Sequence, residues 1–370
     1  MTTLDLLAAV VRGDAADWPG TADADAERAF LAAAIDHSVE ALVLWRLDQA
    51  GSFVRWPATI RAELTRIVRE EVLLEVGRQG ELRRALSALE RAGVPCLVVK
   101  GAALAYARYP EPWLRPRNDN DLLIRRDDLD AAHGVFSDLG YNSGNVLLGD
   151  VVGHQIPYTK VDAIGLHHAV DLHWKISNRP LLVDLLRFDE LLADACAVPP
   201  LGDAARAPDD VHALILACVH PVMHHYNTES LLWWYDVHLL ASRLDDSGFA
   251  RFAELACRKG VAAICASVLA RTARYYRTPI PQAVMARLSA VNGEPSATYL
   301  DAGAWRGDVR LTDFRSMDWR GRLRLVREVA LPRREYMLSE FNATSPLLLP
   351  ALHAYRLTRG TWRLITRFAR

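Results

Sequence analysis

Two aspartates one residue apart, Asp119 and Asp121, stand at the head of the apolar run Leu122-Leu123-Ile124. On a strand, alternate side chains share a face, so both carboxylates point the same way from nearly the same place. Like charges that close repel unless a cation sits between them. A hard divalent ion such as Mg2+, held by one or two carboxylates and substrate phosphates, is the natural occupant. Upstream, Val94-Pro95-Cys96-Leu97-Val98-Val99 feeds Lys100-Gly101-Ala102-Ala103. This pattern predicts a buried strand entering a helix N-terminus, where backbone N–H groups and the helix dipole favour phosphate. A third carboxylate is expected from Ala169 to Ile176. There Val170, Leu172, Trp174 and Ile176 form an apolar face, and Asp171, His173 and Lys175 the opposite polar one.

The elements that must position these groups divide the chain into four stretches. Residues 1–93 read as helical: Leu6, Leu7, Val10 and Val11 recur at helical spacing, as do Leu82, Leu86 and Leu89 before the helix-ending Gly93. Residues 94–180 alternate strand and helix, with strands at Cys96–Val99, Asp121–Ile124 and Gln155–Val161. A helix there buries Leu129, Ala132, Phe136 and Leu139 behind an Asp127 or Asp128 cap and stops at Gly140. Residues 181–318 are helical again, one helix capped by Asp209-Asp210 and another containing Leu231 to Asp236. Residues 319–370 form a basic tail. It carries eleven arginines against Glu328, Glu335 and Glu340, with Trp319, Tyr336, Tyr355 and Trp362 among them. A solvated or intramolecular role for that tail outweighs nucleic-acid binding.

Hydrophobic content of 51% and charged content of 24% suit an ordinary globular protein, long enough for more than one domain. A net charge of −1 gives no global pull toward nucleic acid or membrane. The cysteines, Cys96, Cys196, Cys218, Cys257 and Cys265, show no C-x-x-C spacing and suit reduced thiols in a cytosol. The first residues lack the basic segment of a secretory signal, and no run of 18 apolar residues predicts a membrane span. A cytoplasmic location is expected.

Other side chains invite chemistry more weakly. His220 and His224 are four apart on a helix, superficially a zinc pair. The intervening Pro221-Val222-Met223 lacks the glutamate of a metalloprotease motif, so a polar lining of an acceptor pocket is the better expectation. His225 adjoins them. Asp236 follows Trp233-Trp234-Tyr235 in an apolar helix and, if buried, must be paired, with an arginine or with substrate. His173 is either a partner or substrate contact of the acidic site or a hydrogen-bonded residue at a strand edge. His167-His168 reads as a turn, and Gly144 to Gly149 as a loop without phosphate-binding spacing.

Together, Lys100-Gly101-Ala102-Ala103-Leu104, Tyr109-Pro110, Arg115-Pro116, Asp119 to Ile124 and Asp171-Leu172-His173-Trp174 resemble the uncharacterised nucleotidyltransferase family of the polymerase-β-like superfamily. The likeness is tight over about residues 85–180 and looser over 205–245, where His220, His224 and Trp233 to Asp236 fit the family's helical segments. It implies an α+β fold: a small mixed β-sheet core flanked by N-terminal and C-terminal helical regions. It also implies transfer of a nucleoside monophosphate from an NTP to a hydroxyl or phosphate, with pyrophosphate release and two Mg2+ ions, Mn2+ being the alternative metal. By the resemblance, Asp119 and Asp121 bridge the metals, and Asp171 completes one site and helps position or deprotonate the incoming hydroxyl. The wider superfamily opens with Gly-Gly or Gly-Ser, where this chain has Lys100-Gly101. Lys100, Arg115 and Arg117 are therefore expected to take over part of the grip on the triphosphate. The acceptor is left open among a small molecule, a peptide and an RNA end. Two alternatives stand beside this reading: a degenerate nucleotide- or partner-binding protein, and a toxin-like or biosynthetic-cluster transferase acting on tRNA or a peptide.

Overall fold

The computed structural model describes residues 2–14, 17–20, 23–149, 151–225, 227–301 and 306–368, without the side chains of 306–310 and 360–368. Trp362, as a side chain, and Arg370 therefore lie outside the described residues. The N-terminal region folds into α1 (Thr3–Arg12), α2 (Ala24–Asp36), α3 (Glu40–Gln49) and the 34-residue α4 (Ala58–Arg91). Thr2 opens α1 through a reciprocal cap with Asp5. The predicted stripe of Leu6, Leu7, Val10 and Val11 is fully enclosed. Gly93, at φ +71°, ends the helical region.

The long α4 joins two hydrophobic cores. Its first half contributes Ile60, Leu64 and Val68 to a large core shared with the other N-terminal helices and the helices after residue 210. Its last turns contribute Leu82, Leu86 and Leu89 to a second core beneath the sheet. Each such side chain, fully removed from water, contributes about 1.5–3 kcal/mol.

Chain order continues with β1 (Leu97–Val99), α5 (Lys100–Ala107), β2 (Asn120–Leu123), α6 (Leu129–Asp138), β3 (Asn142–Ser143), β4 (Gln155–Val161) and β5 (His167–His173). The five strands form one mixed sheet in the order β1-β2-β5-β4-β3. Only β2 and β5 pair in parallel. The small mixed sheet with helical flanks is the α+β architecture expected.

The last strand differs from its predicted bounds. His167 and His168 are not a turn but the first residues of β5, paired with Val161 and Lys160. The reversal lies at 162–166, where Asp162 Oδ1 accepts from the N–H groups of Ile164 and Leu166 and Gly165 takes φ +84°. The strand also stops at His173. Lys175 pairs with Asp184 instead of extending the polar face.

After α7 (Phe188–Ala193) and the small hairpin of β6 (Cys196–Ala197) and β7 (Arg206–Ala207) comes the second helical layer. It comprises α8 (Asp210–His224), α9 (Leu231–Ala241), α10 (Asp246–Arg258), α11 (Ala262–Tyr276) and α12 (Gln282–Ser289). Asp209 caps α8 by accepting from the His212 N–H. The C-terminal helices are α13 (Arg306–Ser316), α14 (Trp319–Ala330), α15 (Arg334–Glu340) and α16 (Leu349–Phe368). Among the described residues no helix is long and apolar enough to cross a membrane.

Candidate active site

Parallel pairing of β2 with β5 puts Asp121 directly beside Asp171. Equivalent positions of neighbouring strands share a face, so the two carboxylates converge. Asp119, two residues before Asp121, shares that parity and stands exposed at the rim. His173, two residues after Asp171, is buried, and its Nε2 lies 2.7 Å from Asp121 Oδ1. Lys100 Nζ donates to the same oxygen at 2.7 Å and lies 3.4 Å from His173 Nε2. The backbone of Lys100 is left-handed, with φ +52°. That conformation costs a non-glycine residue about 1–2 kcal/mol. The left-handed residue of this turn is thus Lys100 and not Gly101, and the strain falls where the ammonium meets Asp121.

Charge is unevenly shared among the three aspartates. Burial alone would raise the Asp121 pKa, but Lys100 and His173 outweigh it and hold that carboxyl well below the carboxylate range. Burial, then the charges of Asp121 and Asp119, push Asp171 up to about 6. Surrounding protein and the Asp121 charge also raise Asp119, although the residue keeps an exposed surface. Burial and the Lys100 charge lower the His173 pKa. Gln155, at the start of β4, donates from Nε2 to Asp171 Oδ2 at 2.7 Å.

Donor atoms of Asp121, Asp171 and His173 all lie within 4.8 Å of one another. Two carboxylates, Asp121 already paired through Oδ1 with Lys100, and an imidazole fit a divalent cation. The contacts of Lys100 and His173 fall on Oδ1 of Asp121, and that of Gln155 on Oδ2 of Asp171. Asp119 is not within that group of donors.

The two arginines expected at the triphosphate are committed to the protein's own carboxylates. Arg115 forms a two-pronged pair with Asp236, Nε–Oδ1 3.1 Å and Nη2–Oδ2 2.8 Å, and Tyr109 OH donates to the same Oδ1 at 2.7 Å. Of the two roles open to Asp236, the arginine partner is the one seen. Gly101 makes room for this pair: a Cβ there would lie 2.7 Å from Arg115 Nη1. Arg117 forms a second two-pronged pair with Glu75 of α4, at 2.8 and 2.9 Å, and donates from Nε to Asn120 Oδ1 at 3.1 Å. Both guanidiniums are buried and act as braces around the Asp119–Asp121 segment. Lys100 is the expected cation whose ammonium reaches an acidic side chain of the site.

Across from the acidic cluster, α8 and α9 bring together His220, His224, His225 and Trp233. The His225 and Trp233 rings are 4.2 Å apart, and those of His220 and His224 5.5 Å. Burial and neighbouring positive charge push His224 down to about 3 and His220 well below the ordinary range, so both imidazoles are neutral. Among the described residues these histidines are not part of any three-ligand metal cluster. His220, Trp233, Lys100, Arg115 and Asp236 line a narrow apolar-walled cleft between α5 and α8.

The profile of a family described as an uncharacterised nucleotidyltransferase matches residues 23–277. The chain belongs to that family. The matched span holds every expected site residue, from Lys100 to Asp236, and leaves α13 to α16 outside it. No curated protein matches the sequence. Family membership supports nucleotidyl transfer as the general activity, with a nucleoside triphosphate and a divalent metal as its ordinary requirements.

Two participants escaped the sequence reading. Gln155 was legible only as a strand residue, and its place beside Asp171 follows from the β4–β5 register. Glu75 lies amid the charged residues of α4 with no local signal. Its burial becomes visible only once Arg117 is seen opposite.

Proposed function

We propose that this protein transfers a nucleoside monophosphate from an NTP to a hydroxyl or phosphate acceptor, at the recess formed by Asp119, Asp121 and Asp171. The observation that carries the reading is the in-register pairing of Asp121 with Asp171, with His173 and Lys100 closing on Asp121. A divalent ion held by Asp121 and Asp171, Mg2+ or Mn2+, would neutralise the phosphates and the charge developing on the leaving group. Asp119, at the rim, is assigned the triphosphate side of that metal site. Lys100 and the start of α5 supply positive potential for the phosphates.

In the reaction the acceptor oxygen forms a bond to the α-phosphorus, the bond from that phosphorus to the bridging oxygen breaks, and pyrophosphate leaves. Asp171, whose Oδ2 is engaged by Gln155, takes the acceptor's proton at Oδ1. His173 fixes Asp121 by donating from Nε2. Arg115 and Arg117 act through Asp236 and Glu75, holding the connector between α5 and β2 in place. His220 and His224 line the acceptor side as neutral groups.

The test is pyrophosphate release and label transfer with each of the four NTPs and Mg2+, in wild type, Asp121→Asn and Asp171→Asn. Release in wild type, abolished in both variants, supports the reading. Label transfer that survives in both variants overturns it. A second reading, nucleotide binding without turnover, is favoured by Lys100 and His173 already sharing one oxygen of Asp121. Tight NTP binding with no pyrophosphate from any acceptor would select it.

A further inference from the structure

The C-terminal helices, outside the span shared with the family, carry a surface unlike that of the rest of the fold. Among the described residues, ten of the sixteen large apolar side chains exposed to solvent fall between Leu311 and Leu357. The chain is also basic here, with eleven arginines against three glutamates after residue 318, although its net charge as a whole is −1. The ion pair that reaches this region, Arg179 with Asp313, leaves Arg320, Arg324, Arg327, Arg333 and Arg334 without a carboxylate partner among the described residues.

On α14 the two properties lie in parallel stripes. Trp319, Leu323 and Val326 recur at helical spacing along one face and are 68%, 62% and 53% exposed. Arg320, Arg324 and Arg327 follow each of them by one residue, about 100° around the helix, and are exposed as well. The Arg320 guanidinium stands 5.3 Å from the centre of the Trp319 ring. Glu328 fixes which side faces the protein. It accepts from the N–H groups of Val151 and Val152 at 3.0 and 3.1 Å, and nine residues from Trp319 it points about half a turn away from the apolar stripe. The helix is therefore tied down by one face and presents the apolar and basic stripes outward.

We propose that α14 seats the protein on an anionic lipid surface, with Trp319, Leu323 and Val326 entering the boundary of the acyl chains and Arg320, Arg324 and Arg327 meeting the headgroup phosphates. An interfacial helix needs both an apolar face and a basic one, and tryptophan prefers that depth. The flexible arginine stems let the guanidiniums reach phosphate while the stripe beside them is buried. Single-stranded nucleic acid would engage the arginines and leave Leu323 and Val326 in water. A second copy docked through this helix by two-fold symmetry would bring two unpaired arginine stripes together. A helix of 12 residues gives a weak, reversible attachment that salt screens, not an anchor.

The test floats the full chain with vesicles of phosphatidylcholine alone and of an equal mixture of phosphatidylcholine and phosphatidylglycerol. Wild type should partition at least tenfold better onto the anionic vesicles, and high salt should remove that preference. Arg324→Gln with Arg327→Gln should cost at least tenfold, since each basic residue at such a surface is worth about fivefold. Trp319→Ser with Leu323→Ser leaves the charge unchanged and should also weaken partitioning at least tenfold. All four side chains are exposed, so these variants should fold, and matching melting curves check it. Ile164, 87% exposed in the β4–β5 turn, supplies the control Ile164→Ser, which should bind as wild type does. Absence of binding to the anionic vesicles overturns the proposal, as does partitioning indifferent to Trp319 and Leu323. A single-stranded RNA of ten nucleotides that strips the protein from the vesicles also overturns it, in favour of nucleic acid. So does self-association in the ultracentrifuge that is lost in the Trp319→Ser, Leu323→Ser variant while wild type ignores lipid.

Discussion

Glu75 and Arg117 close a two-pronged ion pair where the two cores meet along α4, with side chains 6% and 2% exposed. Tyr106 OH donates to the same Glu75 carboxylate, and Arg117 reaches on to Asn120, the residue between the two aspartates. A helix from the N-terminal layer thereby determines the position of the strand that carries the site.

Removing one partner of a buried pair leaves the other charged and unsatisfied, which costs about 3–5 kcal/mol. Glu75→Ala should lose stability of that order in urea unfolding and should also weaken Mg2+ binding at Asp121. Glu75→Ala combined with Arg117→Met should recover part of the stability. A loss below about 1 kcal/mol would mean that the pair behaves as a surface one.

Gly101 has a measurable control within the same protein. A methyl at Gly101 would meet Arg115, whose Nε and Nη2 are fixed by Asp236 and cannot swing away. Gly134 of α6 has nothing within 4 Å of its added Cβ. Gly101→Ala should destabilise by about 1–3 kcal/mol, whereas Gly134→Ala should be neutral or stabilise by about 0.4–1 kcal/mol. Equal melting shifts for the two would refute the claim that the Arg115–Asp236 pair requires glycine at 101.

The raised carboxyls of Asp119 and Asp171 come from burial first and from mutual repulsion second, and a bound divalent cation favours the ionised form against both. Mg2+ should therefore raise the melting temperature of wild type, and a chelator should reverse the rise. At one hundred times its dissociation constant the gain is about 2.7 kcal/mol. Asp171→Asn removes one like charge and one ligand, so it should melt higher than wild type without metal and respond less to Mg2+. A melting temperature of wild type indifferent to both Mg2+ and Mn2+ would exclude the acidic recess as a metal site.

Glu40, at the start of α3, has its Oε2 enclosed without a partner, and burial together with Glu71 pushes its carboxyl up to about 7. Between its ordinary 4.5 and about 7 the folded protein keeps the proton that the unfolded chain has released. Stability therefore falls as pH rises through that window, and the full cost is present above 7. Glu40→Gln should match wild type near pH 4.5 and exceed it at pH 8 by on the order of 2 kcal/mol. Thermal unfolding across that range checks the sign, and a variant no more stable than wild type at pH 8 would contradict it.

What could be read from the residues was whatever a short period or a short spacing encodes. Alternation along β5 placed Asp171 and His173 on one face, and the aspartates at i and i+2 placed Asp119 and Asp121 together. Long-range partners had no such signature. Asp236 could be seen to need a partner, but that Arg115 supplies it depends on α9 packing against the connector, 121 residues away. The carboxylate partners of Arg115 and Arg117 were hidden for the same reason: cations near an acidic motif look alike until the carboxylates opposite are known. His167-His168 looked like a turn because no hydrophobic alternation marks the exposed end of a hairpin.

The C-terminal helices should be separable from the catalytic layer by a single side chain. Glu328 of α14 accepts from the N–H groups of Val151 and Val152, and Gly149 lies so close that any Cβ there would strike the Glu328 carboxylate. A charge-assisted bond to backbone amides is worth about 1.5–3 kcal/mol, which is large for a contact holding one helix. Glu328→Ala should therefore speed hydrogen exchange in α14 and in residues 151–153, while β2 and β5, deep in the sheet, keep their protection. Unchanged exchange in α14 would show that the remaining contacts of the C-terminal helices suffice to seat them.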